Sequence, residues 1–353
     1  VEAQLAKIRR LLDDLRLDGI ILTQEVNVAW LFGGRYHINV ATEVACASVF
    51  ITKQRVAALV NNIEAERLAD EEGLFADEVH VHSWHDDAQR DIRLQEWLMQ
   101  PGIRVDTQLQ LELKRLRTVL EEDRAGEVRV FGRLLAEAVE ETCKYAQPGQ
   151  TERELAAKLA GACLSRGIEP IVNLVGNEHR SQRYRHLLPT DEPINAYAIV
   201  SVGGRRGGLV LSVTRMFHFG TVPAVLLEKY RSVLRVEAAM LAASQQGTTA
   251  GAAFQRALAQ YESEGYENEW QLHHQGGVAG YQSREIRATA TSDWVLQPNM
   301  LVAWNPTIQG VKAEETCLVT KDGVEILTRT PSFPLMTVTV NGIEMALPDI
   351  LVL

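Results

Sequence analysis

SVGGRRGGLVLSVTRMFHFG, residues 201–220, decides how the chain is read. A near-continuous apolar run leads into it from Tyr197, Gly207 and Gly208 interrupt it, and a second run closes on Gly220. Apolar runs of this length bounded by glycines read as buried strands. They predict strands over 197–202 and 208–219.

Working outward, the stretches near 225–246 and 251–264 carry helical patterns, and strands follow at 300–305, 313–319 and 324–327. Upstream, PGQTERELAAKL (148–159) holds Thr151 and Glu154 at the spacing of a capping box, so a helix starts there. GVKAEETCLVTKDG (310–323) echoes GGLVLSVTRMFHFG (207–220): glycine, a hydrophilic step, threonine, an apolar strand, glycine. The echo is compatible with a duplicated helix-and-sheet unit, which the pattern alone leaves open. From Pro331 onward, three prolines and a final ILVL read as an edge strand or a packed arm.

The first hundred residues alternate helix and strand. Leu5, Ile8, Leu11, Leu12 and Leu15 recur at helical spacing, GIILT (19–23), ASVFIT (47–52) and RVAALV (55–60) read as strands, and IEAERLADEEG (63–73) as a helix. VHVHSW (79–84) is a strand, the run to Met99 a helix, and IRVD (103–106) a strand. Residues 109–145 form one or two long helices. The fold class is therefore mixed α/β, with a compact α/β unit ahead of a larger one.

The 353 residues are 46% apolar and carry a net charge of −10. This disfavours non-specific binding to nucleic acid or anionic membranes, and no basic run tracks a phosphate backbone. The four cysteines, Cys46, Cys143, Cys163 and Cys317, include no CxxC pair, which fits free buried thiols in a reducing compartment. The opening EAQLAKIRRLLDDLRLDG is amphipathic and charged rather than a secretory core, and no uncharged stretch reaches membrane-spanning length. A cytoplasmic location is expected.

Five motifs stand in order: RYRHLLPTDEPI (183–194), SVGG…GGLVLSVTR (201–215), HHQGG (273–277), AWNP (303–306) and KAEETCLVTKDG (312–323). Together they resemble the superfamily of creatinase, aminopeptidase P, prolidase and methionine aminopeptidase. NVAWLFGG (27–34) resembles the opening of the creatinase-type N-terminal domain. The resemblance implies a creatinase-like N-terminal domain over 1–115, a pita-bread domain over 116–330 and a tail over 331–353. It also implies a homodimer, in which Arg35 reaches a neighbouring subunit's pocket.

The metallopeptidases of that superfamily hold two divalent cations with Asp, Asp, His, Glu and Glu. The matching positions here are Ser201, Ser212, His274, Asn305 and Glu314. Hydroxyls and an amide are neutral dipoles and cannot replace the charge that holds two dications. We therefore expect no dimetal centre and no cofactor. Creatinase shows that the fold can work without metal through a histidine and carboxylates.

His186 matches the upstream pocket histidine, a proton shuttle in creatinase-like enzymes. A group titrating near neutrality can take and return a proton in one cycle. Of His273 and His274, alternation along a strand would turn only one inward, and the match selects His274. Glu314 is read as an anchor for a cationic substrate group or a protonated His274; Lys312, beside it on one strand face, is read as substrate-binding, the two together recognising a zwitterionic substrate or else forming a structural ion pair. Asn305, Ser201 and Ser212 are read as substrate contacts, and Arg215 as either a carboxylate anchor or a brace of the sheet. Arg284–Glu285 is read as supporting the pocket from behind. No GxSxG elbow surrounds either serine, so serine acyl chemistry is not expected. The expected function is a metal-independent hydrolase cleaving a C–N bond in a small, polar, nitrogen-rich substrate, with His186, His274 and Glu314 at its centre. The alternatives are an Xaa-Pro aminopeptidase- or dipeptidase-like metallopeptidase and a catalytically silent binding protein.

Overall fold

The computed structural model describes all 353 residues. The chain divides into two compact units, one of residues 1–118 with 207–209 and one of residues 119–206 with 210–353.

In the first unit, helix α1 (Glu2–Asp14) buries the predicted stripe of Leu5, Ile8 and Leu12. Strands β1 (Gly19–Gln24), β2 (Val44–Thr52), β3 (Val56–Asn61), β4 (Glu78–His82) and β5 (Ile103–Val105) form a sheet of order β4-β3-β2-β1-β5. The β1–β2 and β2–β3 pairs are antiparallel, while β3–β4 and β1–β5 are parallel. Helices α2 (Glu25–Phe32), α3 (Ala65–Asp70), α4 (Asp87–Leu98) and α5 (Gln110–Arg117) complete it. Asp106 is fully buried and accepts hydrogen bonds from the Thr23 and Gln24 amides, the Thr23 hydroxyl and the Asn27 amide group. Four donors satisfy a carboxylate that would otherwise be costly to bury.

The second unit opens with α6 (Glu122–Lys144), which buries Val128, Phe131, Leu135 and Val139 along one stripe. Then comes α7 (Glu152–Leu164), whose Thr151–Glu154 capping box forms as the sequence predicts. These helices back a sheet of β6 (Glu169–Asn177), β7 (Tyr197–Arg206) and β8 (Leu209–His218); the short helix α8 (Glu178–Ser181) follows β6. A second helical pair, α9 (Ala224–Ala243) and α10 (Ala250–Ser263), leads to the strands β9 (Gly276–Ala279), β10 (Ile286–Arg287), β11 (Leu301–Trp304), β12 (Thr307–Ile308), β13 (Val311–Lys312), β14 (Glu315–Val319) and β15 (Val324–Ile326). Five of these form a sheet of order β10-β9-β11-β14-β15, and β12 pairs with β13. Val233, Met240, Phe254, Tyr261, Val302 and Trp304 belong to the core between this helical pair and its sheet.

A bridge between Thr214 on β8 and Glu314 just before β14 joins the two sheets. The C-terminal residues form a hairpin, β16 (Leu335–Val340) with β17 (Ile343–Pro348). The last strand, β18 (Leu351–Val352), runs parallel to β8 at the edge of its sheet. No helix is long and apolar enough to cross a membrane.

Candidate active site

A cavity of about 360 Å³ opens in the second unit. His186, Ser201, Ser212, His273, His274, Asn305, Lys312 and Glu314 all line it, and so do Arg284 and Arg287. Ser201 and Ser212 come from the facing strands β7 and β8, and Lys312 from β13. His186 lies on the loop between α8 and β7, and Asn305 directly follows β11. The motifs read in order along the sequence thus converge on one space.

Glu314 is the hub. Its Oε2 lies 2.7 Å from Lys312 Nζ and accepts from Thr214 Oγ1 at 2.8 Å; its Oε1 accepts from Arg284 Nη2 at 3.0 Å. Lys312 Nζ also donates to Ser201 Oγ at 3.2 Å, and Arg284 Nη1 to Ser212 Oγ at 3.3 Å. Ser201 and Thr214 share a hydrogen bond of 2.7 Å. Burial would raise the Glu314 carboxyl, but the adjacent ammonium and guanidinium outweigh it and hold it at about 2. Both serines that stand where carboxylates were expected are therefore touched by a cation of the protein itself.

The three histidines form one cluster. His186 Nε2 and His273 Nε2 are 3.3 Å apart, and the His273 and His274 rings stack with centroids 4.6 Å apart. Burial, reinforced by Lys312, lowers the pKa of His186 and brings His273 to about 2. Burial and Arg284 bring His274 to about 4. All three are neutral at pH 7. Imidazoles in that state have a free site for a proton and hold none in reserve, and the depressed values make His273 and His274 weak bases.

Four expectations need correction. His273 lines the cavity beside His274: the pair precedes β9, outside any ladder, so strand alternation does not separate them. Arg215 does not line the cavity. Its guanidinium is wholly buried against Glu140 and Glu315 and also donates to the Thr214 and Thr328 carbonyls. Glu314 is not open to a substrate cation or a protonated His274, because Lys312 and Arg284 already hold both oxygens. Arg284 itself stands in the cavity rather than behind it; no spacing rule places a residue of the β9–β10 loop opposite β8. Arg287, at the end of β10, went unnoticed in the sequence for the same reason. Arg35 belongs to the first unit, where it pairs with Glu72 at 2.8 Å.

The donor set does not fit a pair of divalent cations. One carboxylate lines the cavity, and two fixed positive charges occupy it; the remaining oxygen donors at the expected positions are neutral. Dications need several anionic oxygens.

An α/β unit followed by two helix-backed sheets that meet across one cavity is the pita-bread architecture with a creatinase-type N-terminal domain. The chain belongs to metallopeptidase family M24, whose pattern matches residues 126–321; the creatinase/prolidase N-terminal domain matches residues 4–116. Among curated relatives, an uncharacterized peptidase of Staphylococcus aureus is 26% identical over 230 residues, covering 62% of this chain and 64% of the relative. A Mycobacterium bovis protein named probable dipeptidase PepE is 26% identical over 236 residues, covering 62% and 60%. The match thus spans less than two thirds of these relatives. The prolidase of Pyrococcus horikoshii superposes with a TM-score of 0.77 at 20% identity, covering 93% of this chain and 98% of that one.

Proposed function

We propose that the chain is an M24-fold hydrolase that cleaves a C–N bond of a small polar nitrogenous substrate without a dimetal centre. The observation that carries this reading is the Lys312–Glu314–Arg284 cluster, in which two side-chain cations hold the cavity's carboxylate. His186 is the proton shuttle. As a neutral base it takes a proton from a water whose oxygen attacks the carbon, and as the C–N bond breaks it returns that proton to the leaving nitrogen. His274 and Asn305 orient the substrate, and Glu314 holds Lys312 and Arg284 in place. Proton transfer by a placed histidine accelerates a reaction by about 10²–10⁴-fold. Across a panel of dipeptides, small amides and amidines, His186→Gln should lower kcat by about that factor with KM nearly unchanged. Equal kcat in the variant would remove His186 from the chemistry. Absence of turnover on every substrate, with ligand binding retained, would leave a silent binding protein.

A second reading is an Xaa-Pro dipeptidase- or aminopeptidase-like metallopeptidase. The relatives' names favour it, and so does one feature of the site: His186, His273 and His274 bring donor atoms within 4.8 Å of one another, a set suited to one transition-metal ion. Peptidase activity that chelator abolishes and zinc, manganese or cobalt restores would establish this reading over the first.

A further inference from the structure

The cavity's charge runs opposite to that of the chain. Overall the protein carries −10, yet Arg284, Arg287 and Lys312 line the cavity against the single carboxylate of Glu314. Arg284 and Lys312 are nearly buried, with side chains 8% and 7% exposed, so water screens them poorly. Arg287 is exposed, and no carboxylate lies within ion-pairing distance of it. Asn305 is 2% exposed and its Oδ1, though buried, has no hydrogen-bond partner. A buried acceptor left unpaired is costly and uncommon, and the side chain that carries it lines the cavity. The excess positive charge calls for an anion, and the orphan amide oxygen calls for an N–H.

We propose that the cavity receives a small oxyanion-bearing ligand, its anionic oxygens held by Arg287 together with the Lys312–Arg284 pair and an N–H of its body donated to Asn305. The site therefore selects acids over their neutral amides and over cations, and Glu314 serves the ligand indirectly by fixing the two inner cations. This deepens the proposed function by naming the substrate's charge, and it rests on the same cavity.

Carboxylate and phosphate share this chemistry, and calorimetric titration separates them. N-acetylglycine, N-acetylglycinamide and inorganic phosphate are titrated into the full chain at neutral pH and low salt. N-acetylglycine should bind, and its neutral amide should bind at least about 10-fold more weakly, since a charge-assisted hydrogen bond is lost. Phosphate binding more tightly than N-acetylglycine would support the site and assign it to phosphorylated ligands. Arg287→Gln removes a solvent-exposed side chain without disturbing the core and should weaken the acid by about 10-fold or more. Asn305→Leu should weaken N-acetylglycine but leave phosphate, which offers no N–H, unchanged. Equal affinity for acid and amide, or an Arg287→Gln variant that binds the acid as wild type does, would overturn the proposal. His186→Gln separates this claim from the catalytic one, because it should lower kcat by about 10²–10⁴-fold and keep anion binding.

Discussion

Lys312 and Arg284 show how one residue's meaning depends on what faces it. Lys312 sits two positions from Glu314, and the sequence reads the pair as sharing a strand face; the structure makes it a 2.7 Å ion pair. Arg284 carries the same importance but lies thirty positions away in a loop, and neither periodicity nor motif order reaches across that gap. The substituted positions Ser201, Ser212 and Asn305 were legible because flanking glycines, Thr214 and Pro306 fix their places. For Arg215 anchor and brace both stayed open, because the same frame places a residue without saying which face of the sheet it takes; its pairs with Glu140 and Glu315 make it a brace. Burial of the cavity's histidines, with its charge behind it, also sets an acid sensitivity. His273 and His274 titrate below 6.5 in the folded chain, so the unfolded chain binds protons first and stability falls as pH drops from about 6.5. For His274 that loss ends near 4. Glu314, held near 2, contributes stability above 4.5 that is lost as pH falls towards 2. Glu315, raised to about 7 by burial, and Glu237, also raised by burial, bind protons first in the folded chain and act in the opposite sense over this range. Thermal melts between pH 6.5 and 4.5 are therefore read by difference: His274→Gln should lose less Tm, or gain more, over that range than the wild type does. An unchanged slope would mean that His274 is not held neutral by its surroundings.

Among the elements, those with a one-sided pattern or a cap were legible. The α6 stripe and the Thr151–Glu154 capping box are examples. Helix α2 was not, because seven of its eight residues are buried and no polar face marks a period. The two-residue strands β10, β12 and β13 carry too little sequence to leave a pattern, and the β16–β17 hairpin lay hidden behind prolines. Strand β9 depends on glycine in a way the sequence only hints at. Gly277 has φ +147°, and a Cβ there would stand 2.0 Å from the Ile286 carbonyl oxygen across the β9–β10 pair. Gly277→Ala should cost more than about 2 kcal/mol, through backbone strain and a clash that displaces the strand carrying Arg287. Gly161, in α7, has nothing within 4 Å of its Cβ position, so Gly161→Ala should instead stabilise by roughly 0.5–1 kcal/mol. Urea titration of both variants checks the contrast, and similar ΔG values for the two would contradict it.

At the scale of the molecule, the echo between residues 207–220 and 310–323 marks strands β8 and β14, one in each sheet of the second unit. The Thr214–Glu314 bridge brings these echoed segments together, and Lys312 and Glu314 come from the second of them. The family was legible because motif order survives where ligand chemistry does not; the duplication was left open by the echo alone. The charge of the site was not legible, since it depends on the loop that returns Arg284 and Arg287 to the cavity. We propose that side-chain cations have taken over the cavity's carboxylate, leaving an M24 fold without a metal pair. Elemental analysis of protein purified without chelator tests this most directly. The account predicts well under one equivalent each of manganese, cobalt and zinc per chain, with thermal stability unchanged by chelator; two equivalents, released by chelator with loss of stability, would contradict it.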